Sequence, residues 1–213
     1  PTSWVRRSNG FQSSLRALWF TSPTIGYASG DWYAGKTTDG GASWSANYLG
    51  YYLFGMAFTN ANTGYGAGYN GTIIKTTDAG GTWNLQTTSI SDYLFAIAFK
   101  DANYGFAVGQ TGRIIRTIDG GANWTSPASG VTDYLYGAKY LGSTVAIAVG
   151  DGGKILRSTN DGATWSVQTS NTTASLLGIA ALDSNTAIAV GGGGRIVKTT
   201  DGGVTWAATQ LSP

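Results

Sequence analysis

The chain is a succession of short apolar runs separated by polar turns. In one stretch, LFGMAF at 53–58 is followed by the turn TNANTG, a second run at 65–68, the turn YNG and a third run, TIIKT, at 72–76. A fourth run begins at Trp83. Short runs rich in β-branched and aromatic residues, bounded by Gly, Asn and Asp, predict antiparallel strands. No segment carries a sustained helical period.

The same four-strand pattern returns with a nearly fixed period. Each copy ends in a basic residue, a hydroxyl-rich turn around an Asp, a Gly and a Trp. The five copies are KTTDGGASW at 36–44, KTTDAGGTW at 75–83, RTIDGGANW at 116–124, RSTNDGATW at 157–165 and KTTDGGVTW at 198–206. Four strands in a unit of about 40 residues are typical of a propeller blade. The sequence therefore predicts an all-β, five-bladed β-propeller with this turn between the third and fourth strands.

The repeats leave no room for a second domain or a linker. Because one blade cannot bury both faces of its own sheet, neighbouring blades must cover it. We therefore predict a single domain over residues 1–213. Its parts are an extra N-terminal strand at 1–8 and repeats one to five at approximately 9–48, 49–87, 88–128, 129–169 and 170–210.

The amino-acid composition excludes several kinds of functional site. The chain has no Cys and no His, and all eleven acidic residues are Asp. Disulfides, thiolate nucleophiles and Cys/His zinc sites are thereby excluded, and we expect neither metal nor cofactor. The net charge is +2, without a long basic run, so nucleic acid is not an expected partner. No apolar stretch approaches the length of a membrane span.

The repeated turn has a structural explanation. Asp and Ser/Thr side chains bond backbone N–H groups in tight turns, Gly takes φ values that a Cβ disfavours, and Trp offers a large apolar face between sheets. We therefore expect structural roles for the Asp or Asn and the Trp of each copy. These residues are Asp39, Trp44, Asp78, Trp83, Asp119, Trp124, Asn160, Trp165, Asp201 and Trp206.

The pattern Ser/Thr-x-Asp-x-Gly-x-Ser/Thr-Trp resembles the Asp-box, or BNR repeat. The surrounding GYGAGYNGTIIKTTDAGGTW and GFAVGQTGRIIRTIDGGANW are similar to the photosystem II stability and assembly factor-like family. The resemblance covers the chain from Trp4 to Trp206. It implies a propeller, a structural role for the Asp, and ligand binding on the face opposite the boxes. Asp-boxes also occur in sialidases, sortilin-type receptors, lectins and assembly factors, and relatives of the similar family occur in secreted bacterial proteins.

A sialidase-like glycoside hydrolase is the weakest alternative. The resemblance implies that such an enzyme needs a Glu to activate its Tyr, and this chain has no Glu. Glycosidases generally need two carboxylates flanking the bond. The Asp residues outside the boxes lie in predicted loops, and we interpret them as turn formers. They are Asp31, Asp92, Asp101, Asp133, Asp151 and Asp183.

The face opposite the boxes is the predicted binding surface. It should gather the turns between second and third strands and the beginnings of the first strands. Its candidate residues are Arg16, Trp32, Tyr52, Tyr69, Tyr93, Arg113, Tyr134, Lys154 and Arg195. Aromatic rings and cations favour a glycan or an extended anionic peptide. Alternatively, the tyrosines fill gaps between blades and the cations are solvated. Ser14 and Ser175 replace the tyrosine elsewhere, so binding should be asymmetric.

A second set of cations stands directly before the boxes. We favour a structural role for them, with the aliphatic stems lying on a neighbouring Trp, over attachment to an anionic surface. They are Lys36, Lys75, Arg116, Arg157 and Lys198.

The tryptophan that ends each box begins a fourth strand, and Trp4 stands at the same spacing before the first of them. Counting Trp4 with the five box tryptophans therefore gives six fourth strands for five blades. Residues 4–8 and 206–210 then compete for the fourth-strand position of the last blade. The alternatives are a five-stranded last blade and pairing with another copy, which would give a homo-oligomer or filament.

These observations favour a non-catalytic binding or assembly scaffold that recognises a protein, peptide or glycan. A carbohydrate-binding lectin is the alternative. Pro1 and the low-charge, Ser/Thr/Gly-rich sequence favour an extracellular, cell-surface or periplasmic location.

Overall fold

The computed structural model describes residues 13–210, and the regular elements among them are β-strands and short 3-10 turns. The strands are β1 (Leu15–Phe20), β2 (Gly26–Thr37), β3 (Ser45–Phe58), β4 (Gly64–Gly68), β5 (Ile73–Thr76), β6 (Asn84–Gln86), β7 (Leu94–Phe99), β8 (Gly105–Gly109), β9 (Ile114–Thr117), β10 (Leu135–Leu141), β11 (Val145–Gly150), β12 (Ile155–Ser158), β13 (Ser166–Gln168), β14 (Leu176–Ala181), β15 (Ala187–Gly191), β16 (Arg195–Thr199) and β17 (Ala207–Gln210). The 3-10 turns lie at Tyr69–Gly71, Gln110–Gly112, Asp151–Gly153 and Gly192–Gly194. No helix in this part of the chain is long and apolar enough to cross a membrane.

Repeats four and five are four-stranded antiparallel sheets in chain order, β10 to β13 and β14 to β17. Repeat three has the three strands β7, β8 and β9, and a single bridge between Arg116 and Thr125 takes the place of the fourth. The strands follow the apolar runs of the sequence closely, because alternate residues of each run pack into a sheet interface.

Repeats one and two are continuous with each other. Strand β2 pairs with β1 through residues 26–30 and with β3 through residues 31–36, and β3 then pairs with β4 from Leu53 onwards. The sequence pattern predicts separate strands here, whereas the structure joins these two repeats in one six-stranded sheet. The two repeats share strand β2 here: Tyr48 pairs with Tyr33 and Tyr52 pairs with Asp31, with a shift in register between the two pairs. Gly50, with a φ of 77°, lies within this shift.

Consecutive repeats pack face to face. Between repeats four and five, Ile147, Val149 and Ile155 form one buried cluster with Leu176 and Trp206. Equivalent clusters join the earlier repeats. The first strands follow one another in space in the order β1, β3, β7, β10 and β14. Each inner sheet is therefore covered on both faces by its neighbours.

The Asp-box is a closed network of hydrogen bonds. In repeat two, Thr76 Oγ1 donates to Asp78 Oδ1 at 2.8 Å and accepts from Gly80 N at 2.9 Å. Thr82 donates to the same carboxylate through its N–H and its Oγ1, both at 2.8 Å. In repeat four, Asn160 keeps this geometry by donating from Nδ2 to Thr164 Oγ1. The structure thus gives the box residues the structural role that we expected.

The cation before each box reaches the box of the next repeat. Lys36 Nζ donates to the carbonyl of Ala79 at 2.9 Å, and Lys75 Nζ to that of Gly120 at 2.7 Å. In the later repeats, Arg116 Nε donates to Asp161 O at 2.6 Å and Arg157 Nε to Gly202 O at 2.8 Å. These four cations therefore have the structural role that we favoured.

Two of these cations also lie beside tyrosine rings. The ammonium groups of Lys36 and Lys75 lie 5.7 Å and 5.4 Å from the ring centres of Tyr27 and Tyr65 in their own repeats. The Tyr65 ring also lies beside the accepting carbonyl, because its hydroxyl donates to Gly120 O at 2.8 Å.

Closure of the five repeats into a ring stays a prediction. In the range 13–210, the neighbours of the first strands follow chain order, and β1 and β14 make no contact as extensive as those between consecutive first strands. The surplus strand predicted at residues 4–8 lies outside the described residues.

A glycine in the box offers a test of how tightly the repeats pack. A Cβ on Gly80 would lie 2.9 Å from Tyr27 Cε1, whereas on Gly41 it would meet only Trp44, at 3.8 Å. Both glycines have positive φ, so the backbone cost of alanine, about 1–2 kcal/mol, is common to both. We expect Gly80→Ala to lower the free energy of unfolding by about 1–3 kcal/mol more than Gly41→Ala in urea titrations of dilute protein. Equal losses would contradict tight packing at this junction.

The boxes also predict an acid-dependent stability. Hydrogen bonds from the Thr82 N–H, from Thr76 and from the Thr82 hydroxyl lower the pKa of Asp78 to about 2. Because an Asp in an unfolded chain has a pKa of about 3.9, this stabilisation is complete above that value and is lost as the pH falls towards 2. The melting temperature should therefore drop between about pH 4 and pH 2. In Asp78→Asn, which copies the box of Asn160, the drop should be shallower. An unchanged pH profile would rule out a contribution from this carboxylate.

Candidate functional site

Aromatic side chains form a continuous row on the face opposite the boxes. Most of them come from the beginnings of the first strands and from the turns between the second and third strands, and Tyr48 comes from the segment of β3 that follows the first box. We call this set the aromatic row. Its members are Trp32, Tyr48, Tyr52, Phe54, Tyr69, Tyr93, Phe95, Tyr134 and Tyr136.

The row crosses from repeat one to repeat three through close ring contacts. The ring centre of Trp32 lies 4.4 Å from that of Tyr52, which lies 6.1 Å from Tyr69. Tyr69 in turn lies 4.3 Å from Tyr93. The hydrogen bond with Tyr69 is the main cause that raises the pKa of the Tyr93 hydroxyl. The structure therefore brings these four predicted residues together as one surface.

A second layer of rings continues the row into repeat four. Phe54 lies 5.5 Å from Phe95, and Phe95 lies 5.4 Å from Tyr136 and 6.0 Å from Tyr134. Sequence reasoning missed three of these rings, Phe54, Phe95 and Tyr136. The signal was present, because each stands two residues after a predicted tyrosine and alternation in a strand places both on one side.

The row is accessible from solvent at several points. Tyr48 is 68% exposed, Tyr69 45%, Tyr134 37% and Trp32 36%. Repeat five does not extend the row, because Ser175 and Leu177 occupy the positions of Tyr134 and Tyr136. The surface is thus asymmetric, in agreement with the expectation from Ser14 and Ser175.

The predicted cations are paired with aspartates. Arg16 Nε lies 2.8 Å from Asp31 Oδ1, and the Arg16 guanidinium lies 5.3 Å from the ring centre of Phe54, beside the row. Arg113 Nε lies 2.8 Å from Asp92 Oδ2. These pairs offset the positive charge, so the surface is less suited to an anionic peptide than the sequence suggested. Asp31 and Asp92 are therefore ion-pair partners. The sequence interpretation, which made them turn formers, did not include this role.

The remaining candidate cations line two grooves. Lys154 Nζ is 3.5 Å from Asp133 Oδ2, and together with Arg113 these residues line a groove of about 600 Å³ beside the loop 126–133. Arg195 donates from Nη2 to Gln210 Oε1 at 3.4 Å, beside the loop 169–174. The nine sequence candidates are thus distributed over the row and two separate grooves.

Asp151 holds repeats four and five together beside the row. Its carboxylate accepts hydrogen bonds from Ser175 Oγ at 2.7 Å and from Tyr136 Oη at 3.1 Å. Burial, followed by this bond to Asp151, raises the pKa of Tyr136. Asp101 and Asp183 instead accept backbone N–H groups in turns, as the sequence predicted. Within residues 13–210, no three acidic side chains are grouped as they would be around a metal ion.

Trp32 is held in an unusual backbone conformation. Its φ is 72°, in the left-handed region, where a bulky residue is rare. The equivalent second residue of the other turns is Asn70, Thr111, Gly152 or Gly193. Repeat one therefore places its largest side chain where the other repeats use small ones. Strain of this kind is concentrated at binding and active sites, which supports a role for Trp32 in recognition.

The comparisons with known proteins agree with this architecture. The family model described as photosynthesis system II assembly factor YCF48 matches residues 49–168 and 82–212. A solved structure described as YCF48 bound to D1 peptide is 18% identical, with a TM-score of 0.55 over 93% of this chain and 82% of that one. YCF48 from Cyanidioschyzon merolae is 16% identical, with a TM-score of 0.60 over 92% of this chain and 84% of that one.

An enzyme outside this family has a similar fold. The GH74 enzyme of Niastella koreensis is 15% identical, with a TM-score of 0.73 over 91% of this chain but only 38% of the enzyme. Likeness at this identity concerns the fold alone, which is of the β-propeller type. No curated protein matches the chain.

The strain at Trp32 can be tested by its effect on stability. Trp32→Gly relieves about 1–3 kcal/mol of backbone strain. It also removes a ring contact of about 0.5–1.5 kcal/mol and adds the entropy of glycine, about 0.5–1 kcal/mol. We expect the free energy of unfolding in urea to stay within about 1 kcal/mol of the unsubstituted chain. Tyr65→Ala, which removes a fully buried ring, should lose about 3–5 kcal/mol. A comparable loss in Trp32→Gly would make Trp32 a structural residue.

Proposed function

The chain belongs to the family of the photosynthesis system II assembly factor YCF48, and we propose that it is a non-catalytic scaffold whose aromatic row binds an extended segment of a partner protein. The observation that carries the proposal is the continuity of the row across four repeats. Rigid aromatic side chains supply most of the binding energy in many protein interfaces at a low entropic cost.

The shape of the row favours an extended ligand. Exposed rings from Trp32 in repeat one to Tyr134 in repeat four offer successive apolar contacts along one line. The Arg16–Asp31 pair lies at one end of this line and can donate to, or accept from, peptide groups. A small compact molecule would engage only part of such a surface.

A peptide partner also fits the family. One relative is described as bound to D1 peptide, and we propose a partner of the same chemical class for this chain. A sugar could stack on the same rings, as a lectin would require. The peptide is favoured because the family match covers most of the chain, whereas the likeness to the GH74 enzyme is one of fold.

We propose no catalytic role. The chain has no Glu, and Asp151 is bound to Ser175 and Tyr136. Asp31, Asp92 and Asp133 are paired with cations. A glycosidase generally needs two carboxylates that flank the scissile bond, whereas each of these carboxylates is bound to a neighbouring side chain.

Three further features belong to the proposal. The repeats act as five blades of one domain over residues 1–213. The protein works outside the cytoplasm, at the cell surface, in the periplasm or after secretion. As an alternative to a monomer, copies of the chain associate through residues 4–8, because an unpaired strand invites pairing with another chain.

A titration with D1 peptide tests the binding proposal. Fluorescence anisotropy of a labelled peptide should show saturable binding. Tyr69→Ala and Tyr93→Ala should each weaken it about 30-fold, the effect of losing about 2 kcal/mol at an aromatic hot spot. Trp32→Gly should weaken it without a large change in stability.

Tyr104→Ala is the matched control, because Tyr104 lies in the turn between β7 and β8, on the box side of the same repeat. Its affinity should equal that of the unsubstituted chain. Binding that ignores Tyr69 and Tyr93 would exclude the aromatic row as the site. Binding of a glycan array in place of the peptide would favour the lectin alternative.

A further inference from the structure

The junction between consecutive repeats has the same parts each time it occurs. We call the side of a repeat that contacts the next one its forward face and the opposite side its backward face. On the forward face, an apolar residue of the second strand and the cation before the box reach the next repeat. On the backward face, the first-strand leucine, the box glycine and the box carbonyl receive them.

The forward face of repeat five is exposed. Val190 pairs with Gly178 and is 47% exposed. The equivalent residues of the other repeats, which pair at the same register, are all buried: Ser29, Ala67, Val108 and Val149. Lys198 is exposed as well, whereas its four equivalents are half-buried against the next box. Repeat five therefore presents one half of a junction.

The backward face of repeat one is the complementary half. Leu15 is 41% exposed, although its four equivalents, Leu53, Leu94, Leu135 and Leu176, are completely buried. Leu18 is 62% exposed and Phe20 41%, while the equivalents of Leu18 in the next two repeats, Met56 and Ile97, are about 6% and 5% exposed. Gly41 faces no ring from another repeat, in contrast to Gly80 beside Tyr27.

We propose that these two faces bind each other between copies of the chain, so that repeat five of one copy docks on repeat one of the next. The occupant is a second copy because each exposed face carries the residues that pack against the other kind of face at every internal junction. Val190 and Ile188 would cover Leu15, Leu18 and Phe20. Lys198 Nζ would donate to the carbonyl of Gly40, which is equivalent to the carbonyls of Ala79, Gly120, Asp161 and Gly202.

Such a contact joins two different surfaces of the same chain. A heterologous contact leaves one face of each kind free at the ends, so copies add in series or close into a larger ring. The inference is independent of the aromatic row, which lies on another part of each repeat. It also differs from pairing through residues 4–8, because it needs the described strands β1, β15 and β16.

The first measurement is the mass of the full 213-residue chain in solution. Light scattering and sedimentation over a range of concentrations should show species at multiples of 22.1 kDa that grow with concentration. Val190→Asp and Leu18→Asp each place a charge in one half of the contact, and each should give a monomer. Val167→Asp is the matched control, because Val167 is 53% exposed on β13 and lies outside both faces, and it should associate like the unsubstituted chain.

A mixing experiment tests the head-to-tail arrangement. Val190→Asp keeps an intact repeat-one face, and Leu18→Asp keeps an intact repeat-five face. An equimolar mixture should therefore form dimers of about twice the chain mass, although each variant alone stays monomeric. Unchanged circular dichroism of both variants shows that they are folded, and Lys198→Ala should weaken association with less risk to folding.

Three results would overturn the inference. The first is a monomer at every concentration, which is also the result expected if repeats one and five close on each other within one chain. The second is association that Val190→Asp and Leu18→Asp leave unchanged. The third is a mixture of these variants that fails to form dimers. If deletion of residues 1–8 abolishes association while Val190→Asp does not, the contact belongs to the N-terminal strand. The monomeric variants should still bind the peptide. If they do, the proposed function holds whatever the result for association.

Discussion

The structure depends on the contact between one repeat and the next. A four-stranded sheet of this size cannot be stable alone, because burial of one face leaves the other in water. Here each junction joins apolar residues from two sheets with a hydrogen bond from a cation to a box carbonyl. The box makes this possible, since its internal bonds hold the carbonyl and the glycine in one position. The hydrogen bonds inside each box and the packing between repeats therefore depend on each other.

This arrangement leaves the opposite face free for recognition. The boxes and the four half-buried cations before them are used in the junctions, so variation there would be costly. The turns between second and third strands lie on that opposite face, and the residue at their second position differs among the repeats. Trp32, Asn70 and Gly152 occupy one equivalent position with very different side chains. The aromatic row is asymmetric because repeats two to four carry rings at the beginnings of their first strands, whereas repeats one and five carry Ser14 and Ser175 there.

The repeat made much of the fold predictable from sequence. The Asp-box, the strand runs and the structural cations followed from turn chemistry and periodicity, because these depend on residues close in the chain. The pairing of Arg16 with Asp31 and of Arg113 with Asp92 did not, since each pair joins side chains 15 or more residues apart. Phe54 and Phe95 were missed because a buried ring and a surface ring look alike in an apolar run.

The same periodicity determines what the ends of the array present. Repeat proteins generally need terminal units with polar outer faces, because an uncovered junction face exposes apolar surface. Here Leu18 and Val190 keep apolar side chains on those faces, and Lys198 keeps the cation that inner repeats use to reach a neighbour. Their presence means that the two end faces remain competent to form one more junction of the kind that holds the rest together.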